Sequence, residues 1–186
     1  MQSLKNIFTF GKPNAVTNEP QPLQQPQQQP TQQPPTQQQL LKEIQWDETV
    51  AFTFPITGGQ VIKVYDADTI TIASKLPYDA SPLYRLSVRL TGIDTPEIKG
   101  KGVSEEEKQA AVEARDFVSN LVLHKHVRLE NIESEKYGRI LADVYIGENN
   151  VHLNELLIQE RYAVRYDGGT KVKPTSWVQY RKGGTI

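Results

Sequence analysis

Ten consecutive residues carry the densest chemistry in the chain: Val88-Arg89-Leu90-Thr91-Gly92-Ile93-Asp94-Thr95-Pro96-Glu97. An arginine sits among strand-forming residues, and two carboxylates follow close behind it. A carboxylate can hold a hard cation, a guanidinium can fork onto two phosphate oxygens, and a second carboxylate can handle a water molecule. Together those types suit a phosphodiester. By the two-residue period of a strand, Val88, Leu90 and Gly92 share one face, and Arg89, Thr91 and Ile93 the other. Thr95-Pro96 should end the run, because proline has no N–H for a ladder and restrains the residue before it. The plainer alternative is a strand-ending turn, with Asp94 as a local cap and Glu97 facing water.

Two further clusters could serve the same chemistry. In Tyr65-Asp66-Ala67-Asp68-Thr69 the acids stand at i and i+2. In a strand or a gentle bend both would point one way, toward one cation. A hairpin turn with solvated aspartates is the alternative, and the EF-hand pattern fails for want of a glycine at the right offset and of flanking helices. Lys136-Tyr137-Gly138-Arg139 could present an ammonium, a phenol and a guanidinium to one phosphate chain, or be an ordinary hairpin arm. His124 and His126 lack a third partner at metal spacing and read as surface residues.

These clusters need elements to position them. Ile62, Val64, Ile70 and Ile72 mark one face of a two-part strand run that the aspartates interrupt, and Tyr84 to Ile93 forms the next strand. Ser104 to about His124 is the clearest helix. Ser104 and Glu107 have capping-box spacing, and Ala110, Ala114, Phe117, Val118 and Leu121 form a core-facing stripe. Glu105, Glu106 and Glu107 favour the helix's positive end and are assigned no chemistry. Val127–Ile132 and Ile140–Ile146 read as strands, Val151–Arg161 as a second helix, and Tyr162–Tyr166 as a short extended piece. The order β-β-β-α-β-β-α, with short strands, fits a small closed barrel carrying helices, an OB-like barrel being one solution.

Bulk composition narrows the classes. The 186 residues suit one domain plus something extra, and at 37% hydrophobic part of the length is not expected to fold. There is no cysteine, which excludes disulfides, thiolate metal sites and thiol nucleophiles. Residues 20–39 hold 11 Gln and 6 Pro, too little apolar surface to offset chain entropy, and read as a disordered spacer. Residues 1–43 are thus expected to be a disordered segment whose Leu4, Ile7, Phe8 and Phe10 patch could engage a tethering partner. Residues 44–171 form the folded domain and 172–186 a basic tail or short docked helix. No apolar run reaches membrane-spanning length, and the first ten residues do not resemble a signal-peptide core, so an intracellular chain without a membrane partner is expected.

Taken in order, Tyr65-Asp66-Ala67-Asp68-Thr69, Val88-Arg89-Leu90, Ile93-Asp94-Thr95-Pro96-Glu97 and Lys136-Tyr137-Gly138-Arg139 resemble the staphylococcal-nuclease (thermonuclease) family. The resemblance covers roughly residues 58–166. It implies a five-stranded OB-fold barrel with packed helices (α+β). It also implies a monomeric, Ca2+-dependent endonuclease that cleaves DNA and RNA at the 5′ P–O bond and leaves 3′-phosphates. Asp68 and Asp94 then match the calcium carboxylates, Thr95 the carbonyl ligand, and Asp66 an acid acting through water. Arg89 and Arg139 match the guanidiniums on the scissile phosphate, Glu97 the residue that positions or deprotonates the attacking water, and Lys136 and Tyr137 the terminal-phosphate contacts.

Some features depart from the family. Tyr162 and Tyr166 are the only candidates for stacking on a base, with an offset register. Residues 171–186 are too short, and Pro174 interrupts them, for the final helix of the bacterial enzymes. The Tyr166–Lys171 ending is similar to versions from large DNA viruses. Residues 44–170 carry 14 Lys+Arg against 20 Asp+Glu, a net −6, so modest, metal-dependent affinity is expected. The competing function is a non-catalytic OB module that binds nucleic acid or a partner protein.

Overall fold

Alternation of apolar and polar residues builds five strands whose inner faces meet. In the computed structural model, which describes residues 43–135 and 137–186, the order is β1 (Gly58–Asp66), β2 (Thr69–Ser74), β3 (Tyr84–Leu90), β4 (Ile93–Asp94), α1 (Glu105–Val122), β5 (His126–Ser134), β6 (Ile140–Ile146), β7 (Val151–His152), α2 (Leu153–Gln159), β8 (Val164–Arg165) and α3 (Trp177–Arg181). The glutamine- and proline-rich stretch, the N-terminal patch and Lys136 lie outside the described residues. The chain divides into two units, Met1–Thr49 and Val50–Ile186. In the first, residues 46–48 form a single 3-10 turn, closed by the Gln45 N–H donating to Glu48.

In the second unit β3, β2, β1, β5 and β6 pair antiparallel in that order, and β6 returns to β3 in parallel. The closing pairs are Val88 with Ile140, Arg89 with Leu141 and Leu90 with Ala142. The sheet is therefore a closed five-stranded barrel of the OB type, with no free edge between those strands. Val61, Ile70, Ile72, Val88, Leu90, Val127, Ile140 and Val144 fill it. Gly59 permits the close approach of β1 and β2, since a Cβ there would stand 2.5 Å from the Ala73 carbonyl oxygen.

Two details differ from the expected alternation. Ile62 is exposed and Val61 takes the core position, because a register irregularity between Val61 and Lys63 shifts the inward set by one residue. The strand bearing Arg89 ends at Leu90 and does not run on to Ile93. Gly92, at φ 75°, turns the chain, so Ile93 joins Val88 and Leu90 in the core instead of facing away from them.

Helix α1 starts where its signals place it. The Ser104 hydroxyl accepts from the Glu107 N–H at 3.1 Å, and Ala110, Ala111, Ala114, Val118 and Val122 are buried. The second helix is shorter than expected, because Val151 and His152 pair with β6 before it begins. Asn154 at its start is buried. Its side chain accepts from the Val144 N–H at 3.1 Å and donates to the Thr91 carbonyl at 2.9 Å, tying α2 to β6 and to the turn after β3. Helix α3 packs Trp177 and Tyr180 against Ala110 and Val164.

Candidate active site

The barrel wall places the acids. Asp66 ends β1, and Asp68 is the second residue of the two-residue turn into β2. The Asp68 carbonyl accepts from the Leu90 N–H at 2.8 Å, which locks that turn onto β3. Thr69 pairs across the sheet with Arg89, so the guanidinium is delivered beside the aspartates. The turn at Thr91-Gly92 folds β4 back, and Asp94 and Thr95 become buried at the foot of the same cleft. A tight turn, with the Gly138 N–H donating to the Glu135 carbonyl, delivers Arg139 just ahead of β6.

The result is a cleft of about 370 Å³, with Asp66, Asp68, Arg89, Glu97, Arg139 and Lys171 among its lining. Asp68 and Asp94 are each only 3% exposed. Arg89 donates to Asp68 Oδ2 and reaches within 3.6 Å of Asp94 Oδ1, so one guanidinium spans both acids. Thr69 donates to Asp68 Oδ1 at 2.9 Å. Arg139 is held by a two-pronged pair to Glu135 at 2.6 and 2.8 Å. Those hydrogen bonds push the Arg139 pKa up despite its partial burial. Lys171 Nζ lies 2.8 Å from Asp94 Oδ1 and 2.8 Å from Glu97 Oε1. With Asp94 this is a charge contact without hydrogen-bond alignment, and Asp94 Oδ1 has no hydrogen-bond donor. Burial pulls the Lys171 pKa down, but contact with the two carboxylates outweighs it and pushes the pKa up to about 12.

Asp66 behaves differently. Burial, and next the negative charge of Asp68, drive its pKa from the ordinary 3.8 up to about 7, which Thr69 and Arg89 only partly offset. Its Oδ1 is buried without a hydrogen-bond partner. Two buried carboxylate oxygens lacking donors, with a hard all-oxygen donor set around them, suit a hard cation such as calcium by chemistry. Among the described residues no three acids converge closely enough to hold a metal by themselves. Guanidinium and ammonium groups stand among the carboxylates instead.

The candidates thus separate. Asp66, Asp68, Arg89, Asp94, Thr95, Glu97 and Arg139 meet around one cleft. Tyr166 borders it and also an adjoining cavity of about 580 Å³, into which Tyr137 opens. Tyr162 does not reach either. Its ring stacks on Phe117 at 4.4 Å and lies under the Arg181 guanidinium, so base stacking by Tyr162 is set aside. Three residues given no role from sequence turn out to support the site. Glu135 holds Arg139. Lys171 bridges Asp94 and Glu97. Glu107 is buried and accepts from the Glu97 N–H at 3.4 Å and from Lys173 at 2.7 Å, instead of closing the capping box. The failure of that box to close is visible only in three dimensions. Glu135, four residues before Arg139, is the one of the three with a local signal.

Comparison with known proteins follows the same lines. A family model described as staphylococcal nuclease homologue matches residues 87–182. A protein described as a probable endonuclease from Schizosaccharomyces pombe is 39% identical over 72 residues, which is 38% of this chain and 30% of that protein. Another probable endonuclease, from Phaeosphaeria nodorum, is 34% identical over 77 residues, 41% of this chain and 25% of that protein. An uncharacterized endonuclease from Haemophilus influenzae is 33% identical over 94 residues, 50% of this chain and 45% of that protein. The match therefore spans less than half the length of these curated relatives.

Proposed function

The chain belongs to the staphylococcal nuclease homologue family, and from that premise we propose that it is a calcium-dependent endonuclease hydrolysing phosphodiester bonds of DNA and RNA. The single observation that carries this reading is the meeting of Arg89, Arg139, Asp68 and Glu97 around one cleft. The names of the relatives, which include endonucleases from fungi and a bacterium, support the reaction class.

Phosphodiester hydrolysis needs little covalent help and much charge stabilisation, since negative charge spreads over the equatorial oxygens as the bond to the attacking oxygen forms. Asp68 and Asp94, with the Thr95 carbonyl, would hold the cation, and Asp66 would act on it through water. Calcium, when bound, supplies a Lewis acid at a phosphoryl oxygen. Glu97 stands exposed at the cleft mouth, where it can orient a water or take its proton. Arg89 and Arg139 are held at the cleft wall by Asp68 and Glu135, and the N–H groups those carboxylates leave over would take the phosphate oxygens. The attacking water oxygen bonds to phosphorus as its proton passes to Glu97 or to solvent, the 5′ P–O bond breaks, the departing 5′-oxygen takes a proton from solvent water, and the phosphate remains on the 3′ side. Tyr137 and Tyr166, in the adjoining cavity, would meet the next part of the strand, and Lys136 is assigned to the terminal phosphate with Tyr137.

Incubation of the full chain with plasmid and RNA, in excess calcium and in excess chelator, tests this. Cleavage in calcium alone, with 3′-phosphate ends and loss of turnover in Glu97→Gln, is the expected result. A 5′-phosphate product contradicts the chemistry. No cleavage in either condition leaves the binding-module reading.

A further inference from the structure

Lys171 enters the cleft from irregular backbone, in the segment between β8 and α3. Its ammonium lies 2.8 Å from an oxygen of Asp94 and 2.8 Å from an oxygen of Glu97. Those oxygens differ sharply in their surroundings. Asp94 is buried, whereas Glu97 and Lys171 are each nearly half exposed at the side chain. An ammonium is a compact point charge on a flexible stem, so it can swing from this position into water at low cost. Arg89 cannot do so, because it is only 14% exposed and is bound between Asp68 and Asp94.

A divalent cation on Asp94 Oδ1 and an ammonium on the same oxygen repel strongly next to a low-dielectric interior, and Lys171, at 2.8 Å against 3.6 Å for Arg89, is the nearer positive group on that oxygen. The segment that carries Lys171 is pinned on either side. The Tyr166 N–H donates to the Gly92 carbonyl before it, and Lys173 reaches Glu107 and Ser176 reaches Glu106 after it. Only the Lys171 contact falls on groups assigned to the cation and the water.

Resting on the calcium reading above, we propose that Lys171 is a built-in competitor of the divalent cation for Asp94, held at the same time by the water-handling Glu97, so that the cation enters by lifting Lys171 out of the cleft. Lys171 thereby sets the cation concentration at which the site fills. Binding linkage is reciprocal, so the factor by which Lys171 weakens the cation is the factor by which the cation weakens the Lys171 contact.

Calorimetric titration of calcium into the full chain, compared with Lys171→Met and Lys101→Met, tests the proposal. Lys171→Met is expected to bind calcium about tenfold more tightly than wild type, and Lys101→Met to match wild type. A second readout needs no variant. Amine acetylation of the wild-type chain, followed by mass spectrometry, is expected to show Lys171 gaining reactivity when calcium is added, while Lys99 and Lys101 stay constant. Equal or weaker calcium binding by Lys171→Met, or a Lys171 reactivity that does not respond, overturns the proposal. If calcium still drives cleavage in that case, the nuclease reading survives and only the competition fails. If no variant binds calcium, both fall together.

Discussion

At the residue scale the cleft is a balance of opposite charges held at unequal depth. Arg89 spans Asp68 and Asp94 with the two arms of one planar group. Lysine at position 89 would keep the charge and lose the fork. Arg89→Lys is therefore expected to lower the cleavage rate on the order of 100-fold while leaving the circular-dichroism spectrum unchanged, and near-normal turnover would refute a forked contact. Asp66 gives a pH signature. Its pKa is about 7 in the folded chain against an ordinary 3.8. Between those values the folded chain retains a proton that the unfolded chain has released, so stability in chelator falls as pH rises through that window and levels off above it. Asp66→Asn removes this loss. Urea unfolding should find the variant gaining on wild type at about pH 8 and not at about pH 4; a gain of equal size at both would rule out the buried-acid account.

At the element scale, the parts of the site that could be read from sequence are those carried within one element or turn. Asp66 with Asp68, Arg89 with Asp94, and Arg139 after its glycine turn each announce themselves by local spacing. The Ser104 cap did so for α1. What escaped was set by contacts between distant segments. Nothing around Glu107 tells that its carboxylate accepts from the Glu97 N–H, nothing around Lys171 tells that it bridges residues more than seventy positions earlier, and the irregularity in β1 that exposes Ile62 depends on its partner strand. Asn154 belongs to this class. It joins α2, β6 and the Thr91 turn. Asn154→Ala leaves a buried N–H and a carbonyl unpaired, so it is expected to cost about 2 kcal/mol in chemical denaturation. It should also lower turnover at temperatures where the chain remains folded, because Asp94 follows that turn. A variant with wild-type stability would show that the three elements do not need the link.

At the scale of the whole molecule, a small closed barrel was legible from strand order, whereas the strands that meet at its seam were not, since parallel pairing of β3 with β6 joins segments separated by α1 and β5. No described helix is long and apolar enough to cross a membrane. The folded part is acidic overall, with 14 Lys+Arg against 20 Asp+Glu over residues 44–170, and among the described residues only Arg89, Arg139 and Lys171 are basic groups of the cleft. Nucleic-acid binding in chelator should accordingly be weak. A slope of about −2 in log affinity against log salt is expected, one unit for each cleft guanidinium. A steep slope would reveal a wider basic track than the cleft provides.

The seam that closes the barrel holds three residue pairs, one of which contains Arg89, and Arg139 immediately precedes the partner of another. Unzipping it would leave most of the ladder intact yet part the two gripping side chains. Local opening of this kind takes less free energy than global unfolding. On gentle heating, such a protein would let go of a phosphate before it lost its shape, with inactivation running several degrees ahead of the calorimetric melt; coincident curves would mean that the zipper and the barrel fail as one.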